Sequence, residues 1–161
     1  MRQTNQAGSN KNNGKISQRR PYAARAFIVQ DGHILFIHHM LKNPALNGKW
    51  TLPGGRLNPH ENHALEALHR EMQEELSLEI EVIDELGCFY SRSGLEYKIF
   101  VARKKGEIGP LNKNEVSEFA WLMPADVYEY HAKNKLQFGF EMDVVLEYLK
   151  RFGKSEYGLS R

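Results

Sequence analysis

The chain has 161 residues, 41% of them hydrophobic, which suits one domain with a buried core and leaves no apolar run near the ~18 residues a membrane-spanning helix needs. The formal charge is +2, yet residues 1–20 hold Arg2, Lys11, Lys15, Arg19 and Arg20 and no acid; without those five the remainder carries −3, which excludes a basic, nucleic-acid-binding body. Cys88 is the single cysteine, so the chain can form neither an internal disulfide framework nor a cysteine metal site, as expected of a protein from a reducing compartment such as the cytoplasm.

Taken in order, residues 1–20 are polar and basic and read as a disordered arm. Residues 21–153 form the domain, and 154–161 a short tail. Ala23 to Val29 and His33 to His38 are two apolar, β-rich runs around Asp31-Gly32, the pattern of a hairpin. A polar loop from Lys42 to Lys49 leads to a short strand at Trp50 to Leu52 and then to Pro53-Gly54-Gly55, where glycine permits close backbone approaches. After a loop containing Asn58 and Pro59, residues Ala64 to Leu76 have helical periodicity, with Leu65, Leu68, Met72 and Leu76 as an apolar stripe. Strands are expected in Leu78 to Phe89, Tyr97 to Val101 and Phe119 to Leu122, with Cys88 as apolar packing in the first of these. The stretch from Lys104 to Asn114 reads as a loop, and Pro124 to Val127 as the opening of a short helix. Phe138, Met142, Val145, Leu149 and Phe152 lie at i, i+4, i+7, i+11 and i+14, a second amphipathic helix. Strands alternating with two or three helices imply an α/β class sandwich with a mixed sheet.

The chemistry-bearing cluster lies on the first helix. Glu71, Glu74 and Glu75 stand at i, i+3 and i+4 and share a face, with Arg70 beside them. Like charges at that spacing repel unless a cation neutralises them, and hard oxygen ligands suit Mg²⁺ or Mn²⁺. Helices with several acids are usually solvated faces; here the Gly54-Gly55 lead-in and the Arg70-Glu71 pair favour a site.

The stretch from Gly55 to Leu78 resembles the Nudix box, G-x5-E-x7-R-E-U-x-E-E-x-G-U with U aliphatic. Gly55, Glu61, Arg70, Glu71, Met72, Glu74, Glu75 and Leu78 occupy its positions, and Trp50 and Leu52-Pro53-Gly54-Gly55 resemble the lead-in of nucleotide-cleaving members. The sequence departs from the box twice. Eight residues separate Glu61 from Arg70 instead of seven, so that either the loop is one residue longer or Asn62 takes the place of the first glutamate. Ser77 stands in place of glycine, which asks for a different helix ending at a modest cost in stability.

The resemblance implies an α/β/α sandwich and a divalent-metal-dependent hydrolase that cleaves a pyrophosphate bond in a nucleoside diphosphate linked to another group. It implies Glu75, Glu74 and Glu71 as metal ligands, the backbone carbonyl of Gly54 or Gly55 completing the shell, and Arg70 orienting a carboxylate. A further glutamate before a tryptophan, Glu115 or Glu118 ahead of Trp121, would bind metal or serve as general base, with Glu75 the other candidate base.

Arg25 could reach phosphate or pair with an acid, and His38 and His39 end a strand near the expected phosphates. Trp50, Tyr97, Phe138 and Phe140 could stack on a base or fill the core. Elimination favours a nucleoside triphosphate, as in MutT-like members. No proline near residue 94 marks an ADP-ribose type, no extended signature marks an NADH-cleaving type, and Tyr97 is off the dinucleoside polyphosphate position. A nucleotide-binding regulator is the alternative from another class, but such domains tend to lose the carboxylates kept here. An isoprenoid diphosphate isomerase would need an activated cysteine, which Cys88 does not offer. The expected partner is a small nucleotide, with no nucleic acid polymer and no membrane, acting on a monomer or homodimer.

Overall fold

The computed structural model describes residues 20–40 and 48–153. The proposed arm up to Arg19, the tail after Gly153 and most of the Lys42 to Lys49 loop lie outside them. Two strands open the fold, β1 (Ala23–Gln30) and β2 (His33–His39). They meet at Gln30 and His33 through a turn in which Asp31 and Gly32 have φ of 50° and 73°, the mirror-image geometry whose twist matches a hairpin. Next come β3 (Trp50–Thr51), β4 (Gly54–Arg56), α1 (Ala64–Leu76), β5 (Ile80–Tyr90), β6 (Glu96–Lys104), β7 (Val116–Leu122), α2 (Pro124–Ala132) and α3 (Glu141–Phe152).

The strands make one mixed seven-stranded sheet whose central path is β3-β2-β1-β6-β5. β1 is its hub. It runs parallel to β6 from Ala23↔Tyr97 onward, and its opposite edge is shared, β4 pairing with Ala23–Arg25 and β2 with Val29–Gln30. Side chains alternate across a strand, so Ala23 and Phe27 enter the core packed against α3, with Val144, Val145 and Tyr148, while Ala24, Ala26 and Ile28 enter the core under α1. β2 divides in the same way: Ile34 and Phe36 go to the α3 side, Leu35 and Ile37 to the α1 side. Helices cover both faces, as an α/β/α sandwich requires.

Three expectations need correction. The stripe of α1 is rotated: Ala64, Ala67, Leu68, Met72 and Leu76 are buried, whereas Leu65 is 41% exposed. The two alanines let the helix approach the sheet closely on their side, and that rotation carries Glu75 inward with them. Glu75 therefore lies on the docking face, while Glu71 is half-buried and Glu74 exposed. Phe138 lies before the last helix rather than in it, because the Glu141 carboxylate accepts the N–H groups of Phe138 (2.7 Å) and Gly139 (2.8 Å) and the helix begins only there. Cys88 is exposed on β5, its thiol 3.5 Å from a carboxylate oxygen of Glu96 on β6, and is not core packing.

Ser77 ends α1 in the left-handed conformation (φ 48°), its N–H bonded back to the Gln73 carbonyl and its hydroxyl donating to the Pro110 carbonyl at 2.8 Å. The left-handed backbone costs a non-glycine residue roughly 1–2 kcal/mol, which the hydroxyl contact and the lower unfolded-state entropy of serine largely offset. Ser77→Gly is therefore expected to shift the unfolding free energy by less than about 1 kcal/mol in denaturant titration; a larger gain would mean that the hydroxyl contact contributes nothing. Among the described residues, no helix is long and apolar enough to cross a membrane.

Candidate active site

The loop before α1 is built on its glycines. Gly54 has φ of 143°, and a Cβ there would fall 2.2 Å from the Ala24 carbonyl oxygen, so β4 can lie against β1 only with glycine at that position. A Cβ on Gly55 would fall 2.4 Å from the carboxyl carbon of Glu71. The Glu71 carboxylate thus rests directly on the Gly55 backbone. Gly55→Ala is expected to displace that carboxylate and leave the sheet intact, since only the end of a flexible side chain has to move. Activity should fall by about tenfold or more with an almost unchanged melting temperature, and titration with Mn²⁺ should show weaker binding. Unchanged Mn²⁺ affinity would place Glu71 outside the site.

Arg70 ties the cluster together. Its guanidinium donates to both carboxylate oxygens of Glu61 (3.0 and 2.8 Å), to Glu71 (2.9 Å), to Glu74 (3.0 Å) and to the Arg56 carbonyl (3.0 Å). Glu61 in turn accepts the Asn58 N–H at 2.7 Å and is 5% exposed. Glu61, not Asn62, therefore fills the first-glutamate place, and the extra residue is absorbed in the stretch after it. The bidentate Arg70 contact holds the Glu61 carboxyl below the usual carboxylate range despite burial. It also raises the affinity of Arg70 for its proton.

Glu71, Glu74 and Glu115 bring carboxylate oxygens within 4.8 Å of one another. Glu115 comes from the loop before β7, where its carbonyl accepts the Met40 N–H at 2.6 Å. Glu75, 1% exposed, lies against Glu71 and feels Glu115. Burial first, then these neighbouring carboxylates, push its pKa well above the usual value, although Arg25 pulls the other way. Glu115 is raised too, by burial and by Glu71 and Glu74. One oxygen each of Glu75 and Glu115 is buried without a hydrogen-bond partner. Orphaned acceptors beside a knot of carboxylates are the donor set a hard divalent cation takes.

These residues line one wall of a groove of about 1040 Å³. Arg25, His39, Gly54, Gly55 and Tyr97 line it as well. Arg25 is 3% exposed and donates to the Leu52 carbonyl at 2.7 Å, its guanidinium 4.8 Å from the centre of the Phe138 ring and 5.5 Å from that of Tyr97. His39 is lowered to about 4 by burial and by Arg25, so its ring is neutral near pH 7. Trp50 does not line the groove. Pairing of β3 with His38 turns its ring onto His38 and Tyr130, at centroid separations of 5.3 and 6.3 Å, against the α3-side core. Phe138 is no free stacking platform either, because Arg25 and the parallel ring of Phe140 (5.5 Å) flank it. His38 is bonded to Ser117, and Glu118 is exposed on β7 outside the groove. Sequence reasoning passed over Tyr22, Arg92 and Gln137, all of which line the groove. They sit in connections with no shared spacing, so only the fold unites them.

Residues 19–142 match the NUDIX domain family. The chain belongs to the Nudix family. It is a Nudix pyrophosphohydrolase, with Glu71, Glu74, Glu75 and Glu115 lining one groove. No match is found among curated proteins. Among solved structures it is similar to a NUDIX hydrolase from Nitrosomonas europaea, at 18% identity and TM-score 0.63 over 82% of this chain and 90% of that one. A MutT NUDIX hydrolase from Burkholderia pseudomallei is 26% identical, with a TM-score of 0.53 over 66% and 85% of the two chains. An ADP-ribose pyrophosphatase from Streptococcus suis is 20% identical, with a TM-score of 0.60 over 83% and 94%. The Nudix fold is thus common to structures whose names point to different substrates.

Proposed function

We propose that this Nudix hydrolase cleaves a pyrophosphate bond in a small nucleotide, a nucleoside triphosphate in the manner of MutT-like members, with Mg²⁺ or Mn²⁺. The observation that carries the metal reading is the convergence of Glu71, Glu74 and Glu115 next to the unpartnered oxygen of Glu75. Those four carboxylates, with the Gly55 carbonyl as a further ligand, would hold the ion. When bound, it supplies charge neutralisation at phosphoryl oxygens and lowers the pKa of water.

The chain's own residues do the rest. Arg70 neutralises and orients Glu71 and Glu74. Glu75 or Glu115, each with a buried oxygen that has no partner in the protein, would accept the proton of the attacking water. Arg25, Arg56 and Arg92 bring positive charge to the same groove, which suits substrate phosphates beside the acids. The body's negative balance supports a free nucleotide over a nucleic acid polymer, and the single cysteine a cytoplasmic setting.

The test is a panel of nucleoside triphosphates, oxidised guanine nucleotides, ADP-ribose and diadenosine polyphosphates with Mg²⁺, scored for pyrophosphate against phosphate release. Pyrophosphate release from a triphosphate supports the proposal. Preferential turnover of ADP-ribose would move the chain toward the activity named for the S. suis relative. Tight nucleotide binding without turnover would make it a regulator.

A further inference from the structure

Among the described residues, Arg25 is a buried cation without a counter-ion. The residue is 3% exposed, yet it makes no salt bridge there, and its guanidinium donates only to the Leu52 carbonyl, from Nη1 at 2.7 Å. Nε is enclosed without a partner, which leaves Nη2 as the nitrogen open to the groove. A charge taken out of water and left unpaired is costly, so its place in the groove calls for a service that an internal ion pair would cancel.

Rings hold this guanidinium where an acid would usually do so. Its centre lies 4.8 Å from the Phe138 ring centre and 5.5 Å from that of Tyr97. Phe138 is fixed in turn by the parallel Phe140 ring and by the Glu141 carboxylate, which accepts its N–H at 2.7 Å. The seam between β1 and β4 confines the other side. Arg25 pairs with Gly54, where an added Cβ would fall 3.0 Å from the Arg25 Cγ, and the Glu71 carboxylate rests on the next residue, Gly55. The seam therefore sets the charge beside the carboxylates while the rings keep it from bonding to one. Glu75, likewise without an ion pair among those residues, feels its attraction.

We propose that the unpaired Arg25 guanidinium couples the two ligands of the site, opposing a divalent ion that enters alone and favouring one that arrives with the anionic substrate. This rests on the metal-dependent hydrolase reading of the groove. Arg70 is engaged by Glu61, Glu71 and Glu74, whereas Arg25 keeps its charge undivided. An ion drawn to the acids is repelled by that charge at short range. A phosphate oxygen at Nη2 supplies the missing counter-ion and removes the repulsion. Coupling between two binding events is reciprocal, so the bound ion strengthens binding of the substrate by the same factor.

The test follows Mn²⁺ binding by electron paramagnetic resonance, with and without methylenediphosphonate, a pyrophosphate analogue that is not cleaved. In wild-type protein the analogue should tighten Mn²⁺ binding at least about fivefold beyond its own complex with the ion. Arg25→Met and Arg25→Gln should bind Mn²⁺ alone at least about fivefold more tightly than wild type and lose most of that tightening. In hydrolysis the same variants should need less free Mn²⁺ but more nucleotide, opposite shifts that a loosened groove would not produce together. Arg92→Met removes a groove arginine directed at Gln137 and Asn134, and should leave the affinity for Mn²⁺ alone within about twofold. Unchanged or weaker Mn²⁺ binding in both Arg25 variants, an equal gain in Arg92→Met, or no tightening in wild type overturns the inference. If wild-type protein binds no Mn²⁺ at all, the metal-dependent reading fails, and the inference with it.

Discussion

Glu75→Gln is expected to lower kcat by at least about 10² and to leave the protein as stable as wild type or more so in the absence of divalent ions. Both halves follow from the same geometry. The carboxyl is 1% exposed, has one oxygen without a partner, and lies beside Glu71. An amide of equal size relieves the desolvation of a buried charge and its repulsion from neighbouring acids, which together outweigh the lost attraction of Arg25. Activity loses whichever service Glu75 performs, metal ligand or proton acceptor, at the moment charge builds on the reacting phosphate. The assay pairs steady-state hydrolysis in Mg²⁺ with thermal melts in EDTA. Near-wild-type turnover would remove Glu75 from the reaction, and a large drop in melting temperature would make it a structural residue.

Arg70→Ala should act in the opposite sense, costing about 2–3 kcal/mol of stability as well as activity. Removing one partner of a buried pair strands the other, here Glu61 at 5% exposure, and the lower end of the usual range applies because the Arg70 side chain keeps 24% of its exposure. Arg70→Lys should recover only part of the loss, because an ammonium cannot bond both oxygens of Glu61 while also reaching Glu71, Glu74 and the Arg56 carbonyl. The pH dependence has a definite sign. The Glu61 carboxyl is depressed in the folded protein, so its contribution is complete above the ordinary value of 4.5 and is lost as the pH falls through the lower folded value. Chemical denaturation of wild type and Arg70→Ala across that window should show the two curves converging toward acid. Parallel curves would mean that the contact contributes no stability.

The layers, the hairpin and the acid-bearing helix were legible in the sequence because they depend on local period and turn chemistry: Asp31-Gly32, the apolar run of β1, and the spacing of Glu71, Glu74 and Glu75. The rotation of α1 was not. Leu65 looks like a better core residue than Ala64 or Ala67 until the sheet beneath demands close approach, and only then does Glu75 turn inward. Phe138 was misplaced for a similar reason. Its spacing continues the helix of Met142 and Val145, but a carboxylate three residues on captures its N–H first. Glu115 could be named because a tryptophan follows it, whereas Tyr22, Arg92 and Gln137 carry no local signal. Their chemistry exists only where a strand entry, a β-turn and an interhelical connection meet.

The parallel pairing of β1 with β6 brings Ala23 beside Tyr97, and the groove over that seam takes residues from Tyr22 through Phe138. Contacts so distant along the chain require large loops to close before they repay the lost entropy, so they form late. The groove is consequently a reporter of complete folding: during synthesis no catalytic surface exists until nearly the whole domain has emerged. In refolding experiments the return of hydrolysis should lag or match, and never precede, the slowest change in tryptophan fluorescence. A partly folded chain would leave cellular nucleotides untouched.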